Sequence, residues 1–237
     1  MEPVSHGAIS SPPRVRVMVV DDYFMVRKGL RVALEAKGFE VVAEAENGVQ
    51  AVELARELRP DLVLIDVVMP KMNGLQATEQ IKKERGDTAV IVLTGHDDKE
   101  FLKQAVLAGA AGYVLKGTSP VSLLSAIATV LEGGSLIDGA LLRGLLTELV
   151  SASPQLRPGE LTTLEPLTAR ETEVLEILAG GATNKEIADR MHYSVGTVKN
   201  VVQRIIEKLG ASDRTQAAVL AVQAGLVKPG AVERAEQ

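Results

Sequence analysis

Short apolar runs alternate with helically spaced apolar positions over the first half of this chain. The runs Val17–Val20, Leu62–Ile65, Val90–Leu93 and Gly112–Leu115 are almost wholly apolar. Between them the spacing changes, as at Val26, Leu30, Ala33 and Leu34, which share one helical face. Apolar runs separated by amphipathic helices predict buried parallel strands joined by crossover helices. Val41, Ala43 and Ala45 alternate within a further strand and mark it as an edge. Helices are predicted from Tyr23 to Lys37, from after Asn47–Gly48 to Leu58 ahead of Pro60, after the loop from Met69 to Gly74, and from Asp98 to Ala108 ahead of Gly109. Ser119 and Pro120 announce a fifth helix, running to Gly133–Gly134. Five such strand–helix units make residues 14–134 an α/β domain with helices on both faces of a parallel sheet.

The remainder reads differently. Leucine-rich residues 135–150 predict an amphipathic helix, and Pro154, Pro158 and Gly159 mark residues 151–163 as linker. Residues 164–228 predict a small all-α domain. Thr168 with Glu171, and Thr183 with Glu186, form two capping boxes that each open a helix. Ser194 caps a third helix ending at Gly210, and Ser212 is expected to cap a fourth. Residues 1–13 are expected to be a disordered leader and 229–237 a tail.

Each apolar run of the first domain stops on a polar residue: Asp21–Asp22, Asp66, Thr94 and Lys116. In an open parallel sheet the carboxyl ends of the strands line one crevice. An Asp pair after a strand is usually turn chemistry, and a lysine at a strand end is usually solvated. Four strand ends in series argue for a site. Three clustered carboxylates repel unless a cation compensates, and a hard, oxygen-seeking ion such as Mg2+ suits them. Asp66 is then a candidate nucleophile toward a phosphoryl donor, with Lys116 and the Thr94 hydroxyl placed for the transferred oxygens.

In the second domain, the helix starting at Asn184 and the one starting at Val195 fit a helix-turn-helix. Thr197, Lys199, Asn200, Gln203 and Arg204 are the side chains placed to reach DNA. Lys199, Arg204 and Lys208 oppose only Glu207 there, so the helix is locally basic. By periodicity alone a plain helical bundle fits as well.

Composition narrows the alternatives. A net charge of −5 excludes coating nucleic acid by charge alone, but leaves room for a local basic face. With no cysteine, thiolate zinc and cysteine catalysis are excluded. No segment is long and apolar enough for a membrane span, and a cytoplasmic location is expected.

These motifs resemble those of the NarL/FixJ response regulators. Asp21–Asp22, Leu64-Ile65-Asp66 through Pro70 to Gly74, Thr94, and Tyr113 through Lys116 are similar to the motifs of two-component receivers. Leu167 through Glu171, Thr183 through Ala188, Gly196 through Lys199 and Arg214 through Ala217 resemble the LuxR-type DNA-binding domain. The resemblance implies a strand order of 2-1-3-4-5 and Asp66 as phospho-acceptor. It implies Mg2+ held by Asp21, Asp22, Asp66 and the Val68 carbonyl, with Thr94 and Tyr113 as a switch pair. Phosphate contacts fall to Thr183, Asn184 and Lys185, and a dimer seam to Ala217, Leu220, Ala221 and Ala224. The implied partners are a sensor histidine kinase, paired DNA half-sites read in the major groove, a second copy on activation, and RNA polymerase.

Val201 and Gln203 depart from the residues common in relatives, which weakens any expectation of base preference. An aspartate-nucleophile phosphohydrolase would need an acid two residues after Asp66, where Val68 stands. Val68 cannot orient a hydrolytic water, which predicts a long-lived phosphate, although His96 could do so. The chain is therefore expected to assist only its own phosphorylation and dephosphorylation. The alternative is a receiver that acts through protein contacts, without phosphorylation-controlled DNA binding.

Overall fold

The computed structural model describes residues 14–95, 99–131, 134, 136–137, 142, 144, 146–148, 165–211 and 213–228. The expected leader, the tail, most of the linker, His96 and Ser212 lie outside them. Strands β1 (Arg16–Val20), β2 (Glu40–Ala45), β3 (Leu62–Asp66), β4 (Ala89–Thr94) and β5 (Gly112–Leu115) form one sheet in the order β2-β1-β3-β4-β5. Every pairing is parallel. The sheet order and the helical second domain are those expected.

Alternate strand residues feed two cores, as the two-residue period requires. Val17, Val19, Leu62 and Leu64 point toward α1 (Phe24–Glu35) and α5 (Pro120–Leu131). Met18, Val20, Val63 and Ile65 point toward α2 (Gly48–Leu58), α3 (Gly74–Glu84) and α4 (Lys99–Leu107). This two-sided burial explains why the central runs carry no polar alternation. β2 lies at an edge, so Glu44 can meet Lys28 at 2.8 Å and Arg31 at 2.9 Å. Helix α1 is shorter than predicted at both ends. Tyr23 stays extended with its N–H on Asp21 Oδ1, and Gly38 takes φ +88° just past the helix.

The second domain contains α6 (Ala169–Ala179), α7 (Asn184–Met191), α8 (Val195–Leu209) and α9 (Arg214–Gln223). Both predicted capping boxes form, and Ser194 caps α8. The cap of α9 is Asp213, not Ser212: its carboxylate accepts from the N–H groups of Thr215 and Gln216. Residues 142, 144 and 146–148 are helical, within the predicted 135–150 helix. Leu142 and Leu146 are buried with Leu102 and Val106 of α4 and with Val174 and Ala221 of the second domain. One apolar core therefore joins the two domains through this segment.

Candidate functional site: an acidic pocket and a helix-turn-helix

The register places the predicted polar residues at one edge of the sheet. Val20 lies beside Ile65, Asp66 beside Leu93, and Thr94 beside Leu115. Asp21, Asp66 and Thr94 are 0%, 5% and 1% exposed, whereas Asp22 opens to solvent. Carboxylate oxygens of Asp21, Asp22 and Asp66 lie within 4.8 Å of one another. Lys116 Nζ sits 2.7 Å from both Asp21 Oδ2 and Asp66 Oδ2.

Burial pushes the Asp66 carboxyl above the ordinary aspartate value, with the Lys116 hydrogen bond acting against that shift. Burial opposes the Lys116 ammonium too, but the close carboxylates of Asp21 and Asp66 prevail and raise its pKa. One ammonium against three carboxylates leaves room for a divalent cation. Asp21 Oδ2 fits that reading: it is buried and, despite the close ammonium, receives no well-directed hydrogen bond. The donor set is all oxygen, which suits Mg2+.

Several supports of this pocket were invisible in the sequence pattern. Arg27 donates to the carbonyls of Asp21 (2.6 Å) and Asp22 (3.2 Å), fixing the corner after β1. Gly48 N–H donates to the Met72 carbonyl at 3.1 Å, tying the start of α2 to the loop after Asp66. Lys71 in that loop holds φ +68°, an uncommon conformation for a non-glycine residue. Val68 is 58% exposed at the pocket mouth, and Tyr113 packs between the sheet core and the interdomain core. His96 lies outside the described residues.

In the second domain, α7 and α8 meet at His192, which takes φ +53° as the C-cap of α7. Thr183, Lys185, Thr197 and Arg204 are exposed. Asn200 and Gln203 are exposed too, and with the half-buried Asn184 and Lys199 they line an open crevice of about 510 Å3, opposite Asp61 and Asp87 of the first domain. One side of the predicted reading face thus borders the receiver, while Thr197 and Arg204 lie outside the crevice. Asn184 Oδ1 also accepts from Arg214 at 2.9 Å, which restrains the side chain expected at phosphate. Ala217, Ala221 and Ala224 are buried in this conformation, and Leu220 is half-buried.

Lys208, counted above toward the basic face of α8, is committed elsewhere: its ammonium lies 2.9 Å from Glu171 Oε2. The Thr168 N–H bond, with Lys208 assisting, holds Glu171 down to about 2 from a reference of 4.5. A depressed carboxyl stabilises the fold above its unfolded pKa, and that contribution is lost as pH falls through the folded value. The second domain should therefore lose about 2 kcal/mol from this group between roughly pH 4.5 and pH 2. Glu171→Gln keeps a capping-box side chain without the charge. Denaturant midpoints across that window should fall less steeply in the variant; parallel slopes would refute the assignment.

A doubly wound sheet with three carboxylates and a lysine at its carboxyl edge, coupled to a helix-turn-helix, defines a response regulator with a DNA-binding output. Residues 17–128 match the response regulator receiver domain family, and residues 165–221 match the bacterial regulatory proteins of the luxR family. The chain is 39% identical to the transcriptional regulatory protein LiaR of Bacillus subtilis, over 90% of this chain and 99% of the relative. It is 37% identical to the DNA-binding transcriptional activator DevR/DosR of Mycobacterium tuberculosis, over 91% of this chain and 97% of the relative. A LuxR-family two-component response regulator from Aurantimonas sp. SI85-9A1, known by crystal structure, is similar with a TM-score of 0.52 at 35% identity, over 58% of this chain and 99% of that one. The chain belongs to the LuxR-type, or NarL/FixJ, family of two-component response regulators, and is a DNA-binding transcriptional regulator.

Proposed function

We propose that Asp66 is the phospho-acceptor, charged by a sensor histidine kinase, and that its phosphorylation controls DNA binding. The observation that carries this reading is the convergence of Asp21, Asp22, Asp66 and Lys116 at one sheet edge. Asp66 attacks the phosphorus of the donor, and the donor's former nitrogen or oxygen leaves. Lys116 and Thr94 take up phosphoryl oxygens. Mg2+ held by the three carboxylates and the Val68 carbonyl would supply charge neutralisation at those oxygens. Tyr113, packed against both cores, is placed to transmit a movement of Thr94 to the interdomain contact.

The reading face, Thr197, Lys199, Asn200, Gln203 and Arg204, would enter the major groove, with Thr183, Asn184 and Lys185 on phosphates. Lys199, Asn200 and Gln203 share a crevice with Asp61 and Asp87 of the receiver, so entry of this helix into a DNA groove requires the domains to rearrange. The same rearrangement frees Ala217, Leu220, Ala221 and Ala224 to pair with a second copy, so paired half-sites follow. RNA polymerase is the expected downstream partner, in the cytoplasm beside the DNA being read.

The test is to measure mass in solution and retention of a random-sequence DNA duplex, with and without beryllofluoride and Mg2+. The wild type should shift toward dimer and bind the duplex more tightly, whereas Asp66→Ala should do neither. An unresponsive wild type would refute the switch.

A further inference from the structure

Among the described residues outside the acidic pocket, one largely buried charge pair crosses from the receiver to the second domain. Lys82, in the last turn of α3, has a side chain only 3% exposed, and Asp213 is 13% exposed. The ammonium donates to the carbonyls of Gly86 (3.0 Å) and Thr88 (2.6 Å), so it is anchored in the receiver's own α3–β4 corner. Asp213 Oδ2 lies 3.7 Å away. The other oxygen, Oδ1, accepts from the N–H groups of Thr215 (2.8 Å) and Gln216 (3.0 Å). One carboxylate therefore closes the N-terminus of α9 and clamps that helix to the receiver.

The neighbourhood reinforces the clamp. Arg214, the next residue, donates to Asn184 Oδ1 and to the Ala182 carbonyl. Asp213 thus holds the receiver while Arg214 holds the start of α7, which carries the proposed phosphate contacts. Burial lowers the Lys82 pKa, and Asp213 and Asp87 act against it. A buried ammonium left without its carboxylate is costly, whereas the same lysine in water is not. Loss of Asp213 therefore penalises the closed form, in which Lys82 stays buried, more than an open form in which Lys82 reaches water.

We propose that Lys82 and Asp213 form an electrostatic latch that holds the resting chain closed, keeping α9 and the reading face against the receiver. Both are positioning residues and touch neither phosphate nor DNA in this role. The proposal rests on the reading above that closure keeps the DNA-binding face from entering a groove, and it adds which charge pair sets the closed population. Removing either partner lowers the closed population without any phosphoryl group.

The variants are Asp213→Asn, Lys82→Met and the double variant, in full-length chain carrying Asp66→Asn so that phosphorylation plays no part. Asparagine is as good an N-cap as aspartate, so Asp213→Asn removes the clamp and leaves α9 capped. Amide hydrogen exchange across α4 and α9, and retention of a random-sequence duplex at fixed salt, are the readouts. Each single variant should speed exchange on the facing surfaces of α4 and α9 and tighten duplex binding about ten-fold. The double variant should gain no more than the larger single effect, because the two residues act as one pair. A purely structural role would weaken duplex binding instead.

Unchanged exchange and affinity in Asp213→Asn would overturn the latch, as would additive gains in the double variant. If Lys82→Met unfolds, Asp213→Asn alone still decides. An unchanged Asp213→Asn in a chain that responds to beryllofluoride sinks only the latch. Gains in the variants alongside an unresponsive wild type uphold the latch and sink the phosphorylation reading.

Discussion

Incubation with a small phosphodonor and Mg2+ should add one phosphoryl group to the wild-type chain and none to Asp66→Asn, read as intact mass. Lys116→Ala is expected to fall at least about a hundred-fold in phosphorylation rate. Lys116 Nζ is 2.7 Å from both Asp21 and Asp66, the two most buried carboxylates of the pocket. Truncating it leaves these charges with one fewer compensating cation, a change of the kind that costs about 3–5 kcal/mol in a buried pair. Burial already pushes Asp66 upward. Without Lys116 more of it would be protonated, and a protonated carboxyl is a poor nucleophile. Both effects act in one direction. Wild-type incorporation in Asp66→Asn would move the acceptor elsewhere, and an unaffected Lys116→Ala would remove the lysine from the chemistry. The same assay followed over time addresses Val68: Val68→Asn should lose phosphate faster than Val68→Ala, and the reverse order would contradict the role given to the apolar side chain.

The pocket was legible because its residues follow from local pattern. Asp66 and Thr94 end apolar runs, and parallel register then brings the ends together. The caps at Thr168, Thr183 and Ser194 were equally legible, since each lies three residues from the group it satisfies. Asp213 was missed as the cap of α9 because Ser212 beside it offers the same chemistry, and sequence alone does not choose between adjacent candidates. Lys208 was misread for a different reason: its partner Glu171 is distant in the chain, so the lysine looked like part of a basic face. Lys82 shows the limit most clearly. A lysine in the last turn of a helix reads as a solvated residue favourable to the helix dipole. Its burial depends on carbonyls beyond the helix and on a carboxylate from the other domain. Long-range ion pairs leave no periodic trace.

Gly74→Ala is expected to destabilise the receiver by about 3 kcal/mol or more and to impair phosphorylation of Asp66. A Cβ at Gly74 would overlap the Asp66 carbonyl oxygen and lie 2.8 Å from its carbonyl carbon. These atoms belong to β3, which is buried throughout and hydrogen-bonded into the centre of the sheet, so they cannot retreat as a surface side chain would. Helix α3 cannot easily retreat either. Gly74 N–H donates to the Val67 carbonyl at 2.9 Å, and Asn73 and Gln76 lock the helix start in a capping box. Relief must therefore come from displacing the end of β3, which carries the acceptor carboxylate. Gly29→Ala supplies the contrast. It lies on the exposed side of α1 with nothing within 4 Å of its added methyl, so reduced backbone entropy should stabilise the chain by about 0.5–1 kcal/mol. Urea unfolding followed by circular dichroism should move the two midpoints in opposite directions. A Gly74→Ala chain as stable as wild type, with normal phosphoryl uptake, would show that the contact between α3 and the acceptor strand is not what fixes Asp66.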